Sequence, residues 1–225
     1  MELTWLGHSC FRLRGREAVV VTDPPQPALG YALARLGGGT NAAPNIVTVS
    51  HGHPGHNYLD IGGAESKVLT GPGEYEIAGV FVTGLATYHD DSSGAKRGRN
   101  IVFAITLDDV TVVHLGDLGH LLSASQIEQL PEIDVLLTPV GGVSTIDGAQ
   151  AAELVAQLQP RLVVPMHFQT DMEHTQRLEK ADRFLREIGQ REAVPQGRLN
   201  VTRSNLPNPT QVVLLEALGI KGAVR

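Results

Sequence analysis

Apolar residues alternate with polar ones, or run together in short β-branched blocks, through most of the first half of the chain. "ELTWLG", "CFRLRG" and "AVVVTD" are short runs of this kind, divided by glycine-containing turns, and each predicts a strand. A Pro/Gly-rich stretch follows, "PPQPALGYALARLGGGTNAAP", too often interrupted for a long helix and expected to be a surface loop. "IVTVS", "KVLTG", "EYEIAGVFVTG", "IVFAITLDD" and "TVVHLG" resume the β pattern, with "DD" placed for a hairpin turn between the last two. The period then changes. "SASQIEQL" after Ser123, "DGAQAAELVAQLQP" from Asp147 to the stop at Pro160, and "TQRLEKADRFLREIG" ending at Gly189 carry apolar residues at helical spacing. Between and after them, "DVLLTPV", "RLVVPMHF" and "TQVVLLEAL" read as buried strands. Strands outnumber helices, and two face-to-face sheets with helices outside would bury such strands on both sides. No repeat or break in composition divides the chain, so residues 1–225 are expected to form a single domain.

Composition changes this picture little. The 225 residues are 42% hydrophobic and 19% charged, as in globular proteins. A net charge of −6 gives no global attraction to nucleic acid or an anionic membrane, and neither is expected as a partner. The single cysteine, Cys10, excludes an intramolecular disulfide and sits among apolar neighbours as a small buried hydrophobe. The opening "MELTWLGHSCF" reads as a strand rather than a secretion signal, and no run approaches the length of a membrane span. A cytoplasmic enzyme or binding protein is the expectation.

The chemistry concentrates in histidine. "VTVSHGHPGH" crowds His51, His53 and His56 into six positions at the exit of a strand. Imidazole is a common neutral ligand for zinc and similar ions, and a loop leaving a strand can turn neighbouring rings toward one ion. His89 closes "GVFVTGLATYH", Asp117 lies in "TVVHLGDLGH", and His167 ends "RLVVPMH". Sites in sheet proteins gather where strands end, because the sheet fixes the geometry and the loops supply the variation.

This order of residues resembles the metallo-β-lactamase-fold hydrolases, whose signature is H-x-H-x-D-H, then a lone His, an Asp in a "GD" turn and a last His. "GHS", "HGH", "HLGD" and "VPMHF" most resemble the branch of uncharacterised metal-dependent hydrolases that includes L-ascorbate-6-phosphate lactonase. The resemblance covers roughly residues 1–170 and implies an α/β, four-layer αββα sandwich. It further implies that His51, His53 and His89 hold one ion, that His56 and His167 hold a second, and that Asp117 bridges them. Asp117 and His56 would then be closest to the chemistry. Asp23, in the "DP" turn, would orient a ligand histidine through its free N–H, and His8 would stand beside the site. The implied cofactor is one or two divalent ions, zinc first, with manganese, iron or nickel as alternatives.

Gly55 departs from that signature, which has an aspartate there. The second ion would lose an anionic ligand, and restoring it by Gly55→Asp is expected to tighten that ion. Glu74, Glu76 and Asp90 are candidate replacements, although alternation along their strand would turn Glu74 and Glu76 to solvent. Lys96, Arg97 and Arg99 follow His89 in "GAKRGRN" and could dock an anionic substrate, or form a solvated hairpin tip. Tyr88 could stack on a substrate or simply pack. His8 and His120 are further candidates, His8 placed to line the site and His120 equally placed to cap a turn, while His114 reads as a core histidine and His174 as exposed.

Two functions follow. One is a metal-dependent hydrolase attacking an ester, lactone or phosphoester of a small polar metabolite. The other is a metal-binding protein without turnover, for which Gly55 is the main support. An RNA-processing nuclease of this fold is disfavoured because no extra domain or basic surface is legible. A homo-oligomer is compatible with the sequence.

Overall fold

In the computed structural model, residues 1–33, 43–190 and 193–219 are described, so part of the Pro/Gly-rich stretch lies outside them. Two sheets are formed from strands β1 (Glu2–Gly7), β2 (Cys10–Arg14), β3 (Val19–Thr22), β4 (Ile46–Thr48), β5 (Lys67–Leu69), β6 (Gly73–Ile77), β7 (Val80–Tyr88), β8 (Arg99–Leu107), β9 (Val110–His114), β10 (Val135–Pro139), β11 (Leu162–Met166), β12 (Leu199–Asn200) and β13 (Gln211–Val212). The helices are α1 (Ala124–Ile127), α2 (Gly148–Leu158) and α3 (Ala181–Glu187). The first sheet has six strands in the order β12-β1-β2-β3-β4-β5, and the second has seven, β13-β11-β10-β9-β8-β7-β6.

The unbroken apolar runs of the second sheet have a simple cause: both of its faces are covered. Along β8, Ile101, Phe103, Ile105 and Leu107 face the first sheet, and Val102 and Ala104 face the helices. β10 and β11 repeat the alternation, with Leu137 and Val164 turned inward and Leu136 and Val163 turned outward. Inward residues meet Leu3, Trp5, Phe11, Leu13 and Val20 of the first sheet. Outward residues meet Ala151, Leu154 and Val155 of α2 and Phe184 and Leu185 of α3. Each large apolar side chain so enclosed contributes roughly 1.5–3 kcal/mol. The outer face of the first sheet is covered differently. Leu6, Cys10 and Val21 pack against Tyr31 and Leu33, with Tyr58, Ile61 and Met172 nearby. The described part of the Pro/Gly-rich stretch is therefore a cover for this sheet rather than a surface loop. On this face the described residues include short 3-10 turns, Pro27–Leu29 and Leu59–Gly62.

Local chemistry sets several boundaries. The β8–β9 turn places Asp108 and Asp109 at φ 53° and 62°, the doubly left-handed conformation of a tight hairpin turn. "EYEIAGVFVTG" folds into two strands, not one, because Ala78 and Gly79 make a second such turn at φ 52° and 73°. Asp147 caps α2 by accepting from the backbone N–H of Ala149 and Gln150, while Gln150 reaches back to the cap. Ser123 and Gln126 form the same box on α1. The helix expected from "TQRLEKADRFLREIG" begins only at Ala181. Its first part is pinned elsewhere: the Glu179 N–H donates to Gly141 O at 2.8 Å, and Glu179 O accepts from Gln169 N at 2.9 Å. Backbone groups spent on distant loops cannot close helical turns. Among the described residues no helix is long and apolar enough to cross a membrane.

Strand direction is what assembles the site. β3 and β4 are parallel, and β1 shares their direction through antiparallel β2. β9, β10 and β11 are parallel, and β7 joins them through antiparallel β8. His8, Asp23, the His51–His56 loop, His89, Asp117 and His167 follow the C-terminal ends of β1, β3, β4, β7, β9 and β11 respectively.

Candidate metal centre

Asp117 lies at the middle of a group of imidazoles. Its Oδ2 is 3.1 Å from His167 Nε2, 3.3 Å from His56 Nε2, 3.5 Å from His89 Nε2 and 3.8 Å from His51 Nε2. The rings divide into two triads. His51, His53 and His89 bring one nitrogen each within 4.8 Å of one another, and so do His8, His56 and His167. His53 is exposed and gives the cluster an open side, whereas the side chains of the others are buried.

Buried supports hold these rings. The Asp23 carboxylate accepts from Ser50 N at 2.7 Å, from Ser50 Oγ at 2.5 Å and from His56 Nδ1 at 2.9 Å. It thereby turns His56 Nε2 toward Asp117. Ser50 Oγ also lies 2.9 Å from His51 Nδ1, and Ser50 O accepts from Ile101 N across to the second sheet at 2.9 Å. Asn100 is fully buried. Its Oδ1 accepts from Asp117 N at 2.9 Å, and its Nδ2 donates to Thr87 Oγ1 and Leu115 O at 2.8 and 2.9 Å. Ser50 and Asn100 were not legible as site residues, although Ser50 directly precedes the histidine run. His8, Asp23 and His167 have φ of 54°, 39° and 49°, a left-handed backbone that costs non-glycine residues energy and often marks functional positions.

The environment sets the protonation states. Burial, reinforced by neighbouring imidazoles, lowers His51 to about 3 and His89 to about 4, and pushes His8 well below its ordinary value. Those rings are neutral near pH 7, the form that binds a metal. Burial also opposes charge on His56, but Asp117 and Asp23 outweigh it and raise His56 to about 10. Burial would raise the Asp117 carboxyl, yet His167 and His56 hold it well below the usual carboxylate range. His51 Nε2, His8 Nδ1, His89 Nδ1 and His167 Nδ1 are buried without a hydrogen-bond partner. Orphaned imidazole nitrogens around one carboxylate are a donor set suited to divalent zinc-like ions, so these residues fit the metal that the motif implies.

A pH dependence follows for the metal-free chain. Below about 6.5 the unfolded chain takes up protons more readily than folded His8, His51, His89 and buried His114, all lowered by burial. The raised His56 contributes stability that is fully present below about 6.5 and is lost as the pH climbs toward 10. Melting of chelator-treated protein should therefore show Tm falling from pH 7 to pH 5. A flat profile over that range would contradict these protonation states.

Other candidates lie apart from the cluster. Glu74 and Glu76 are exposed on edge strand β6, so neither replaces the missing aspartate. Asp90 does not either, because its oxygens accept from the backbone N–H of Ser92, Gly94, Lys96 and Arg97. Burial opposes the charge there, but those donors, Arg97 foremost, outweigh it and bring Asp90 down to about 2. Arg97 and Arg99 are exposed, with Arg97 Nη2 donating to Val143 O at 3.2 Å and Lys96 paired with Asp91 at 2.9 Å. Tyr88 packs against His120 at 5.9 Å between ring centroids. His114 is a satisfied core histidine bonded to Ser9 O and to Gly116 N. His120 caps its turn between Leu121 O and Tyr88 N. His174 is exposed and lies 3.1 Å from the Tyr31 hydroxyl.

Two packed sheets that gather histidines and a shared aspartate at one edge define the metallo-β-lactamase class, and the sequence profile of the β-lactamase superfamily domain matches residues 2–167. The chain belongs to this superfamily and, within it, to the UPF0173 metal-dependent hydrolases. It is similar to the UPF0173 metal-dependent hydrolase of Methanoculleus marisnigri, 32% identical over 208 residues covering 82% of this chain and 88% of that one. The relative from Methanoregula boonei is 32% identical over 194 residues, covering 76% and 83%. Among solved structures, a protein from Thermotoga maritima assigned to the Zn-dependent hydrolases of the metallo-β-lactamase superfamily superposes with a TM-score of 0.77 at 34% identity. That match covers 95% of this chain and 97% of the other.

Proposed function

We propose that the cluster is a two-ion hydrolytic centre in which His51, His53 and His89 hold one divalent ion, His56 and His167 hold a second, and Asp117 spans both. Such ions would supply Lewis acidity and a water that is nucleophilic near neutral pH. The chain's own residues do the rest. Asp23 fixes the His56 ring, Ser50 orients His51, and Asn100 holds the backbone of Asp117. The open side at His53 admits a small molecule. The substrate class is an ester, lactone or phosphoester of a small polar metabolite. Nitrogen-rich donors favour zinc over manganese, with iron and nickel as alternatives. A cytoplasmic setting is compatible with a chain that carries one cysteine and so no intramolecular disulfide.

The observation that carries this reading is the Asp117 oxygen set 3.1–3.8 Å from four imidazole nitrogens. The test is metal reconstitution followed by a screen of esters, lactones and phosphoesters. Turnover that appears with metal and vanishes on chelation is expected. Two bound ions with no hydrolysis across the screen would favour a metal-binding protein without turnover.

A further inference from the structure

Resting on that two-ion reading, we infer that His8 is a ligand of the second ion and fills the place that Gly55 vacates. The family signature has an aspartate at position 55, and no carboxylate among Glu74, Glu76 and Asp90 reaches the cluster. An imidazole does. A Cβ built on Gly55 would fall 2.9 Å from His8 Nε2 and 3.0 Å from His8 Cδ2. The first contact is shorter than real Cβ atoms show and the second is tighter than most, so a side chain at position 55 requires the His8 ring to leave its place. With the His8 ring in this place, position 55 accommodates glycine and nothing larger.

His8 is placed for this purpose by its backbone. The His8 carbonyl accepts from Trp5 Nε1 at 2.9 Å and from His167 N at 3.1 Å, which ties the β1–β2 turn directly to a ligand strand. Its backbone is left-handed, with φ of 54°. The ring centroid sits 4.2 Å from that of His167 and 5.0 Å from that of His56. It is buried, with Nδ1 unpartnered. Each ion then has three imidazoles, His51/His53/His89 or His8/His56/His167, and the pair shares one carboxylate. Exchanging a carboxylate for an imidazole removes one negative charge from the centre. It shifts the second site from hard ions such as manganese toward nitrogen-preferring ions such as cobalt and zinc.

The test is Co²⁺ titration of the chelator-treated full chain, followed by visible absorption and elemental analysis. The variants are His8→Gly, Gly55→Asp and the two combined. Glycine suits the left-handed backbone at position 8, and both hydrogen bonds there are to the backbone carbonyl, so the fold should survive. His8→Asn, which also tolerates that backbone, serves if it does not. Wild type is expected to bind two ions, and His8→Gly to weaken the second by roughly 100-fold while sparing the first. Gly55→Asp alone should not tighten the second ion, contrary to the expectation from the sequence, because the new side chain meets His8. Combined with His8→Gly it should restore the second ion and raise the preference for Mn²⁺ over Co²⁺. Unchanged affinity for two ions in His8→Gly would overturn the assignment, as would tightening by Gly55→Asp with His8 in place. A wild type holding one ion would overturn it while leaving a mononuclear hydrolase. A wild type holding none would refute the hydrolytic reading itself.

Discussion

Replacing Asp117 by asparagine should reduce bound metal from two ions to one or fewer and lower metal-dependent turnover by roughly 1000-fold or more. The change keeps the shape of the side chain and removes its charge. Four imidazole nitrogens face this one oxygen, so both triads lose the anion that offsets the ions they would bind. His56 loses one of the two carboxylates that hold its proton, and its titration should move down toward the ordinary histidine range. An NMR titration of the metal-free variant reads that shift independently of activity. Glu74→Gln, exposed on β6, is the control and should leave metal content unchanged. Equal losses in the two variants would remove Asp117 from its shared position.

Gly119→Ala should damage both stability and the first ion site, although position 119 bears no ligand. A Cβ there would lie 2.4 Å from His89 C and Asp90 N and 2.6 Å from Asp90 Cα. These are backbone atoms and cannot rotate aside. The Gly119 N–H also donates to Tyr88 O at 3.0 Å, so the turn after Asp117 clasps the segment that presents His89. Relief requires moving that segment, at a cost of about 1–3 kcal/mol. For a chain of this size that is a Tm lowered by roughly 2–12 °C. Displacing a ligand by a fraction of an ångström should also weaken the His51/His53/His89 ion and cut turnover by roughly 10–100-fold. Gly52→Ala makes the contrast: it stands between two histidines, yet a Cβ there meets nothing within 4 Å. Its Tm should match wild type. If both alanines are tolerated equally, the close packing of the Asp117 turn on the His89 segment is wrong.

The two glycines also show how sequence and structure divide the information. "HGHPGH" announces a metal loop, and its spacing makes His51, His53 and His56 legible. Nothing in those letters separates Gly52, beside open space, from Gly55, beside the His8 ring. The motif's missing carboxylate directs attention to nearby acids, and Asp90 follows His89 directly. Yet Asp90 spends its oxygens on four backbone donors of its own loop. The residue that comes closest to position 55 belongs to a turn between the first two strands.

By itself, the sequence determined the strand-rich first half, the "DD" hairpin, the capped α2 and the ordered series of histidines and aspartate at strand ends. Each of these depends on local chemistry: side-chain period, turn conformation, a cap within reach, or a ligand at a fixed offset from a strand. The tertiary structure decided which strand ends share one edge. It also decided that α3 starts late, because Glu179 bonds to Gly141 and Gln169, and that His8 joins His56 and His167. These outcomes depend on contacts between segments far apart in the chain. Local periodicity says which face a residue occupies, but only the packing of the two sheets determines what stands opposite it.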